Sequence, residues 1–343
     1  MPDRSEPPTL KDVAARAGVS VKTVSNVVNG YPFISSATRE RVQQAVDELG
    51  YRPNLAARGL RSGRSGVVAL AVPELRMAYF AELAHFVVQA AAARGWTVVV
   101  EETGGSADRE RAAALSRSGA LVDGLLLSPL ALSDDEIRQY ATETALVLLG
   151  ERPGPGLADH VAIDNTAAAR AATAHLLDAG RERVAVVGAQ SGRSSHTAAL
   201  RLAGHRAALE ERGLQVHDEL LVRADEWHRQ DGAEGVRRLL ALDRPPDAVF
   251  CFNDLLALGA LRALREAGVR VPDDVAVVGF DDIEESRYSS PSLTTVSPDK
   301  AGIAATAVEM LADRLGPGRD GPARSVSVGH ELVVRESSLS PAP

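Results

Sequence analysis

Residues 9–30 read TLKDVAARAGVSVKTVSNVVNG, and the punctuation within them decides the first fold of the chain. Thr9 followed by Asp12 has the spacing of a capping box, with the carboxylate at the positive end of the helix dipole. Leu10, Val13, Ala14 and Ala17 recur on one helical face. Gly18 can enter the left-handed region that closes a helix, and after Val19 alone Ser20 caps the next one. That second helix is expected over Val21 to Val28, with Val24 and Val28 turned inward beside Val19. Val21, Lys22, Ser25 and Asn26 are left to look outward. Two short helices joined by three or four residues with a glycine form a helix-turn-helix, whose second helix enters the major groove. A small helical bundle without that role would share the caps, so charge has to separate the two readings.

A third helix starts at Ser35, buries Val42, Ala45, Val46 and Leu49, and stops at Gly50. Residues 1–65 hold ten Lys/Arg and six Asp/Glu, a net +4 in a chain of net charge −8, so the remainder carries −12. A basic head on an acidic body confines nucleic-acid contact to the head. The candidate base readers are Ser20, Val21, Lys22, Ser25 and Asn26, because Asn can take adenine bidentately and Lys can donate to guanine. Behind them, PNLAARGL runs from Pro53 to Leu60. Pro53 disfavours helix at Arg52, Asn54 can cap a helical segment after it, and Ala56, Ala57 and Leu60 make one small apolar edge. Two turns containing Gly59 are too short to hold alone. The expected division is a loose tail over 1–8, a DNA-binding head over 9–53, a hinge helix and linker over 54–65, and a sensor over 66–340.

From Gly66 the pattern changes. VVALAVP, TVVVEE, GLLLSP, LVLLG and VAIDN alternate with helical runs such as 80–94, and a second series runs through VAVVG, AVFCFND and VAVVGFDD. This βα alternation gives parallel sheets covered by helices on both faces. The fold class is α/β: a small all-helical head followed by a bilobed sensor of two parallel-sheet α/β subdomains. Lobe one is expected over about 66–165 plus 298–325, and lobe two over about 166–296 plus 326–340. A helix at 300–314 and a strand at 326–335 would complete them by crossing back.

In open α/β sheets the binding crevice lies beyond the carboxyl ends of the strands. Polar residues collect there: Ser128, Glu151, Asn253 with Asp254, and Asp281 with Asp282. Asp254 and Asp282 also have the position of helix caps. Aromatics are only 4% of the chain, which makes Tyr79–Phe80 after the first strand and Trp227 in a polar loop conspicuous. Enzyme chemistry finds no support: there is no GxxxxGK, HExxH or CxxC. Cys251, the lone cysteine, sits inside an apolar strand. The eight histidines have no compact metal-ligand spacing. No catalytic residue, metal or cofactor is expected, and with no 18-residue apolar run or signal stretch no membrane is implied and the expected location is the cytoplasm.

Taken together, TLKDVAARAGVSVKTVSNVVNG, TRERVQQAVDELGYRPNLAARGL and the later ND and GFDD motifs resemble the lactose-repressor family of bacterial transcription regulators. The resemblance implies a homodimer on a near-palindromic operator of double-stranded DNA. Val21, Lys22 and Asn26 match its base-reading positions. Asn54, Ala57 and Leu60 fall in its hinge helix, with Leu60 on the leucine wedged into the minor groove. It also implies a periplasmic-binding-protein-like sensor holding a small effector, a sugar or sugar derivative. Arg201, Trp227, Asn253 and Asp281 match effector-contacting positions, and Tyr79, Phe80 and Ser128 join them. Ser128 and Pro298 depart from the lactose-responsive pattern, and Tyr79–Phe80 resembles the purine-responsive branch. The implied function is a repressor of carbohydrate-utilisation genes released by a sugar-type effector. A corepressor-dependent or purine- or nucleoside-responsive regulator, and a cytoplasmic sugar-binding protein without regulation, are the alternatives.

Overall fold

In the computed structural model, which describes residues 8–28, 31–51, 64–115, 122–151, 156–190, 196–316, 319 and 321–339, the chain divides into Met1–Ser65 and Gly66–Pro343. The first unit carries α1 (Leu10–Ala17), α2 (Val21–Val28) and α3 (Ser36–Leu49). The Asp12 carboxylate accepts both the backbone N–H and the hydroxyl of Thr9, at 2.8 and 2.7 Å. Gly18 closes α1 at φ 63°, and Ser20 Oγ takes the Thr23 N–H at 3.1 Å to open α2. Ser35 caps α3 in the same way.

Val13, Val24 and Val42 are fully buried at the centre of this unit, with Ala14, Ala17, Val27 and Ala45 around them. Two expectations change. Val27 occupies the buried place assigned to Val28, because the α2 face between α1 and α3 passes through i+3 from Val24 and leaves i+4 at the rim. Val21, three residues before Val24, lies on that same stripe and is partly buried against the core rather than turned outward. The residues Asn54, Ala57 and Leu60 lie outside the described part of the chain.

The second unit begins with β1 (Val67–Val72), α4 (Ala78–Ala92), β2 (Thr97–Glu102), α5 (Ala107–Leu115), β3 (Gly124–Leu127), α6 (Asp134–Glu143), β4 (Ala145–Leu149) and β5 (Asp159–Ile163). It continues through α7 (Asn165–Asp178), β6 (Val184–Ala189), α8 (His196–Glu211), β7 (Leu221–Arg223), α9 (Arg229–Leu240), β8 (Ala248–Cys251), α10 (Asp254–Glu266) and β9 (Ala276–Phe280). The last elements are α11 (Glu284–Tyr288), β10 (Thr294–Pro298), α12 (Lys300–Leu315), β11 (Ser325–Val328) and β12 (His330–Val333).

Two six-stranded sheets result, ordered β11-β5-β4-β3-β1-β2 and β12-β10-β9-β8-β6-β7. Helices cover both faces of the sheets, so their central strands are near-continuous apolar runs; β6, β8 and β9 are buried along their whole length. The stretch at 326–335 is not one strand in lobe two. Gly329 divides it, so that Ser325–Val328 pairs in parallel with β5 and His330–Val333 pairs antiparallel with β10. The chain therefore passes between lobes at 163–165, 298–300 and 328–330. Cys251 is fully buried in β8, and burial pushes its thiol well above the ordinary value.

Helices α9 and α10 cross at van der Waals range because each presents a glycine. A Cβ at Gly259 would fall 1.9 Å from the Arg229 carbonyl oxygen, and one at Gly232 2.0 Å from that of Leu256. Both obstacles are backbone, which cannot swing aside. Gly259→Ala is expected to destabilise the protein by at least about 1–3 kcal/mol. Urea unfolding followed by circular dichroism checks this: the midpoint should fall at nearly constant slope, and a wild-type midpoint would contradict it.

Candidate functional site

The head presents its polar residues on α2. Lys22 and Ser20 are exposed, and Ser25 and Asn26 are half-buried. The Asn26 carbonyl accepts the Tyr31 N–H at 2.9 Å, which turns the chain back after α2. Polar and basic side chains at the start of a helix that comes after a tight turn have the geometry to meet base edges.

In the sensor, the carboxyl ends of β1, β3, β4, β6, β9 and β10 converge on a cleft of about 600 Å³ between the lobes. Pro73 and Glu74 follow β1, Ser128 follows β3, Glu151 follows β4, Gln190 follows β6 and Asp281 follows β9. Tyr79 and Phe80 enter from the first turn of α4, their rings edge to face at 5.2 Å. Trp227 faces them across the cleft, its indole N–H donating to the Gly188 carbonyl at 3.0 Å.

Arg201, 6% exposed on α8, is the post of this site. Its Nε donates to Asn165 Oδ1 at 2.7 Å, and its Nη1 donates to the Phe252 carbonyl. Nη2 lies 3.8 Å from Asp281 Oδ1. The guanidinium is stacked 3.4 Å from the Phe280 ring centroid and 5.4 Å from that of Trp227. A buried guanidinium stays charged and has to be met by acceptors and aromatic faces, and both are supplied here.

The acids nearby feel the loss of water more than the help of that cation. Burial pushes Asp281 up to about 6 despite Arg201 and Lys300. Burial likewise raises Glu151 to about 7, against the opposing pull of Arg201 and hydrogen bonds from the Ile163 backbone and Asn165. Asp254, behind the wall, is raised to about 7 by burial and by the Asp281 charge. It is held by Thr295 and Ser286 hydroxyls at 2.6 and 2.7 Å and the Ile283 N–H at 3.0 Å. Asp281 and Asp282 adopt φ 114° and 47°, conformations that cost non-glycine residues about 1–3 kcal/mol each and cluster at functional sites.

Of the residues singled out from sequence, Tyr79, Phe80, Ser128, Arg201, Trp227 and Asp281 all line this cleft. Asn253 does not. It is 1% exposed, its Oδ1 caps α10 by accepting the Leu256 N–H at 2.8 Å, and its Nδ2 donates to the Trp227 carbonyl at 3.0 Å. With both ends of its amide spent, Asn253 anchors Trp227 rather than facing the cleft. Asp254 does not cap α10, since that position is filled by Asn253.

Glu151, placed by the sequence at a strand end beside the crevice but assigned no effector contact, lines the cleft, and Asn165, which the sequence did not single out, lines it too. Glu151 carried the same signal as Asp281, a polar residue directly after an apolar strand. Asn165 carried none, because only the crossover into α7 brings it to Arg201. His228, on the rim, sits 3.3 Å from Glu74 of the other lobe.

The description "Bacterial regulatory proteins, lacI family" matches residues 9–54, and "Periplasmic binding protein-like domain" matches residues 173–338. The HTH-type transcriptional repressor PurR of Photobacterium profundum is 32% identical over 331 residues, 96% of this chain and 98% of that one. The structure of the transcriptional regulator CelR in complex with cellobiose is similar at 33% identity, with a TM-score of 0.71 and 96% and 99% of the two chains covered. The Lac repressor dimer bound to operator and the anti-inducer ONPF is similar at 30% identity, TM-score 0.84, over 98% and 100%. The relatives are transcriptional repressors and regulators, not enzymes. Among the described residues no helix is long and apolar enough to cross a membrane.

Glu151 gives a pH test with a defined sign. Its folded-state value lies near 7, above the ordinary 4.5, so its contribution to stability is full below about 4.5 and is lost as pH rises through 7. Glu151→Gln should flatten the fall in thermal unfolding temperature between about pH 5 and pH 8. A variant that tracks the wild-type profile across that window would contradict the assignment.

Proposed function

From the premise that the chain belongs to the LacI family of bacterial regulatory proteins and is a DNA-binding transcriptional repressor with a small-molecule effector, we propose that an uncharged saccharide of more than one ring releases it from its operator. The observation that carries this reading is the charge of the cleft. Among the described residues, Glu74, Glu102, Glu151, Asp225, Glu226 and Asp281 line it, beside His196 and His228, against Arg76 and Arg201. Arg201 spends Nε on Asn165 and Nη1 on the Phe252 carbonyl and has its charge countered by Asp281, and the Arg76 side chain is 83% exposed beside Glu74. A phosphate or carboxylate would enter against six acids and, among the described residues, meet one buried cation, Arg201, which already faces Asp281. Hydroxyl groups would instead find acceptors, two on each carboxylate, and the apolar face of a sugar ring would find Trp227, Tyr79 and Phe80.

Asp281 takes neighbouring hydroxyls in this reading, Arg201 Nη2 donates to a ring or hydroxyl oxygen, and Glu151 and Ser128 fix the far ring. The similar CelR chain binds cellobiose by its description. A purine-responsive regulator is the second reading, favoured by the Tyr79–Phe80 pair and the PurR relatives, but a single base fills only a small part of 600 Å³.

On DNA, Lys22, Ser25 and Asn26 read bases from α2 and Ser20 from the cap before it, while Val21, partly buried against the core, supports them. Asn54, Ala57 and Leu60 act in the minor groove, and two copies of the chain bind one near-palindrome. In this reading the protein works in the cytoplasm, on the nucleoid when bound.

Sequencing of host genomic DNA retained by the purified protein is expected to enrich one near-palindrome. Cellobiose and related uncharged disaccharides should then dissociate the complex, while their 6-phosphates and uronates should not. Release by phosphorylated sugars, or strengthened binding with a purine base or nucleoside while no saccharide acts, would overturn the reading.

A further inference from the structure

Asp281 is offered to the cleft by a stretch of backbone that two consecutive aspartates hold in the left-handed half of conformational space. Such a turn persists only when its surroundings over-determine it. Its amide side is fixed within lobe two, where the Asp281 N–H donates to the Val296 carbonyl at 2.8 Å. Its carbonyl side is fixed by one ammonium. Lys300 Nζ donates to the Asp281 carbonyl at 2.7 Å and to the Asp282 carbonyl at 2.9 Å. Its third proton goes to Glu82 Oε2 at 2.6 Å.

Lys300 is 8% exposed, and its three donors meet three acceptors, which is what a buried ammonium requires. Glu82 belongs to α4 of lobe one, two residues after Phe80 and three after Tyr79. Its other oxygen accepts the Glu284 N–H at 2.8 Å, so a single carboxylate clasps the turn of lobe two from both ends. Lys300 itself is the first residue of α12, just past the crossover at 298–300.

We propose that Lys300 is a positioning residue for effector recognition, holding the Asp281 carboxylate in the cleft and tying it through Glu82 to the lobe-one helix that carries Tyr79 and Phe80. The two walls of the cleft are thereby fastened to each other at a point behind the ligand. A ligand that draws on Asp281 from one side and on the aromatics from the other acts on this fastening directly. The functional meaning rests on the effector reading given above; the positioning itself does not.

The Asp281 carboxyl group is the reporter, since Arg201, Tyr79, Lys300, Glu82 and Asp254 are the charged and titratable groups that face it. The full-length protein labelled with 13C at aspartate carboxyls, with Asp281→Asn for assignment, is titrated without ligand. The wild-type midpoint is expected near 6. Lys300→Met should move it up by about one pH unit or more, as loss of an adjacent cation does, and Glu82→Gln should move it down.

A merely loosened turn would lower the midpoint toward the ordinary aspartate value in both variants, so opposite directions are diagnostic. An unchanged midpoint in Lys300→Met, or a downward move in both, overturns the proposal. Should Lys300→Met fail to fold, Lys300→Gln carries the same expectation. In operator-release assays Lys300→Met should need about tenfold more cellobiose. If cellobiose does not release even the wild-type protein, the saccharide reading fails there while the titration still judges Lys300.

Discussion

A guanidinium that has left water must find partners for its donors inside the protein, and Arg201 finds them in three parts of the chain at once. Asn165 stands at the crossover between lobes, the Phe252 carbonyl at the end of β8, and Asp281 at the end of β9. Phe280 and Trp227 cover its faces. Losing any of these would leave a buried charge under-compensated, a cost that well exceeds that of an ordinary surface contact. The need to satisfy one cation therefore fixes where two strands of lobe two end and where the chain leaves lobe one. Because the acids drawn into the cluster lose more to burial than they gain from Arg201, their protons are held more tightly than usual.

The three passages between lobes turn this cluster into something that can respond. Each crossover is only a few residues long, at 163–165, 298–300 and 328–330. Two of them carry members of the network: Asn165 on the first and Lys300 on the second. Two lobes joined in this way move as bodies about short connectors, and a ligand shifts that balance only by the difference between its affinities for the two arrangements. The contacts from Glu74 to His228 and from Glu82 to the Glu284 N–H cross between lobes on opposite sides of Tyr79 and Phe80 in sequence.

Much of this was legible in the sequence because local chemistry encodes it. Thr9 with Asp12, Ser20, Ser35 and Gly18 mark helix ends by hydrogen bonding and φ preference, and the structure ends its helices there. Apolar strand runs followed by polar residues located the cleft through Ser128, Glu151 and Asp281, the scarcity of aromatics singled out Tyr79, Phe80 and Trp227, and the family resemblance alone supplied Arg201. What escaped depends on distance along the chain. Nothing at 326–335 says that Gly329 hands one strand to each sheet. Asn253 looked like a ligand contact because it comes directly after an apolar run, yet a cap and the Trp227 carbonyl claim its amide. Glu82 and Lys300 are 218 residues apart, and no periodicity pairs them. The choice of Val27 over Val28 turned on which side of α2 meets α1 and α3, a packing decision that a helical period alone leaves open.

The central claim is that the cleft and the DNA-binding head exchange free energy through the lobe arrangement, and linkage makes that exchange reciprocal. The most direct measurement is the affinity for the releasing saccharide, monitored by Trp227 fluorescence, with and without saturating operator. The predicted result is weaker saccharide binding to the operator complex, by the same factor by which the saccharide weakens operator binding. Equal saccharide affinities in the two states would contradict it, because a ligand indifferent to bound DNA cannot release it.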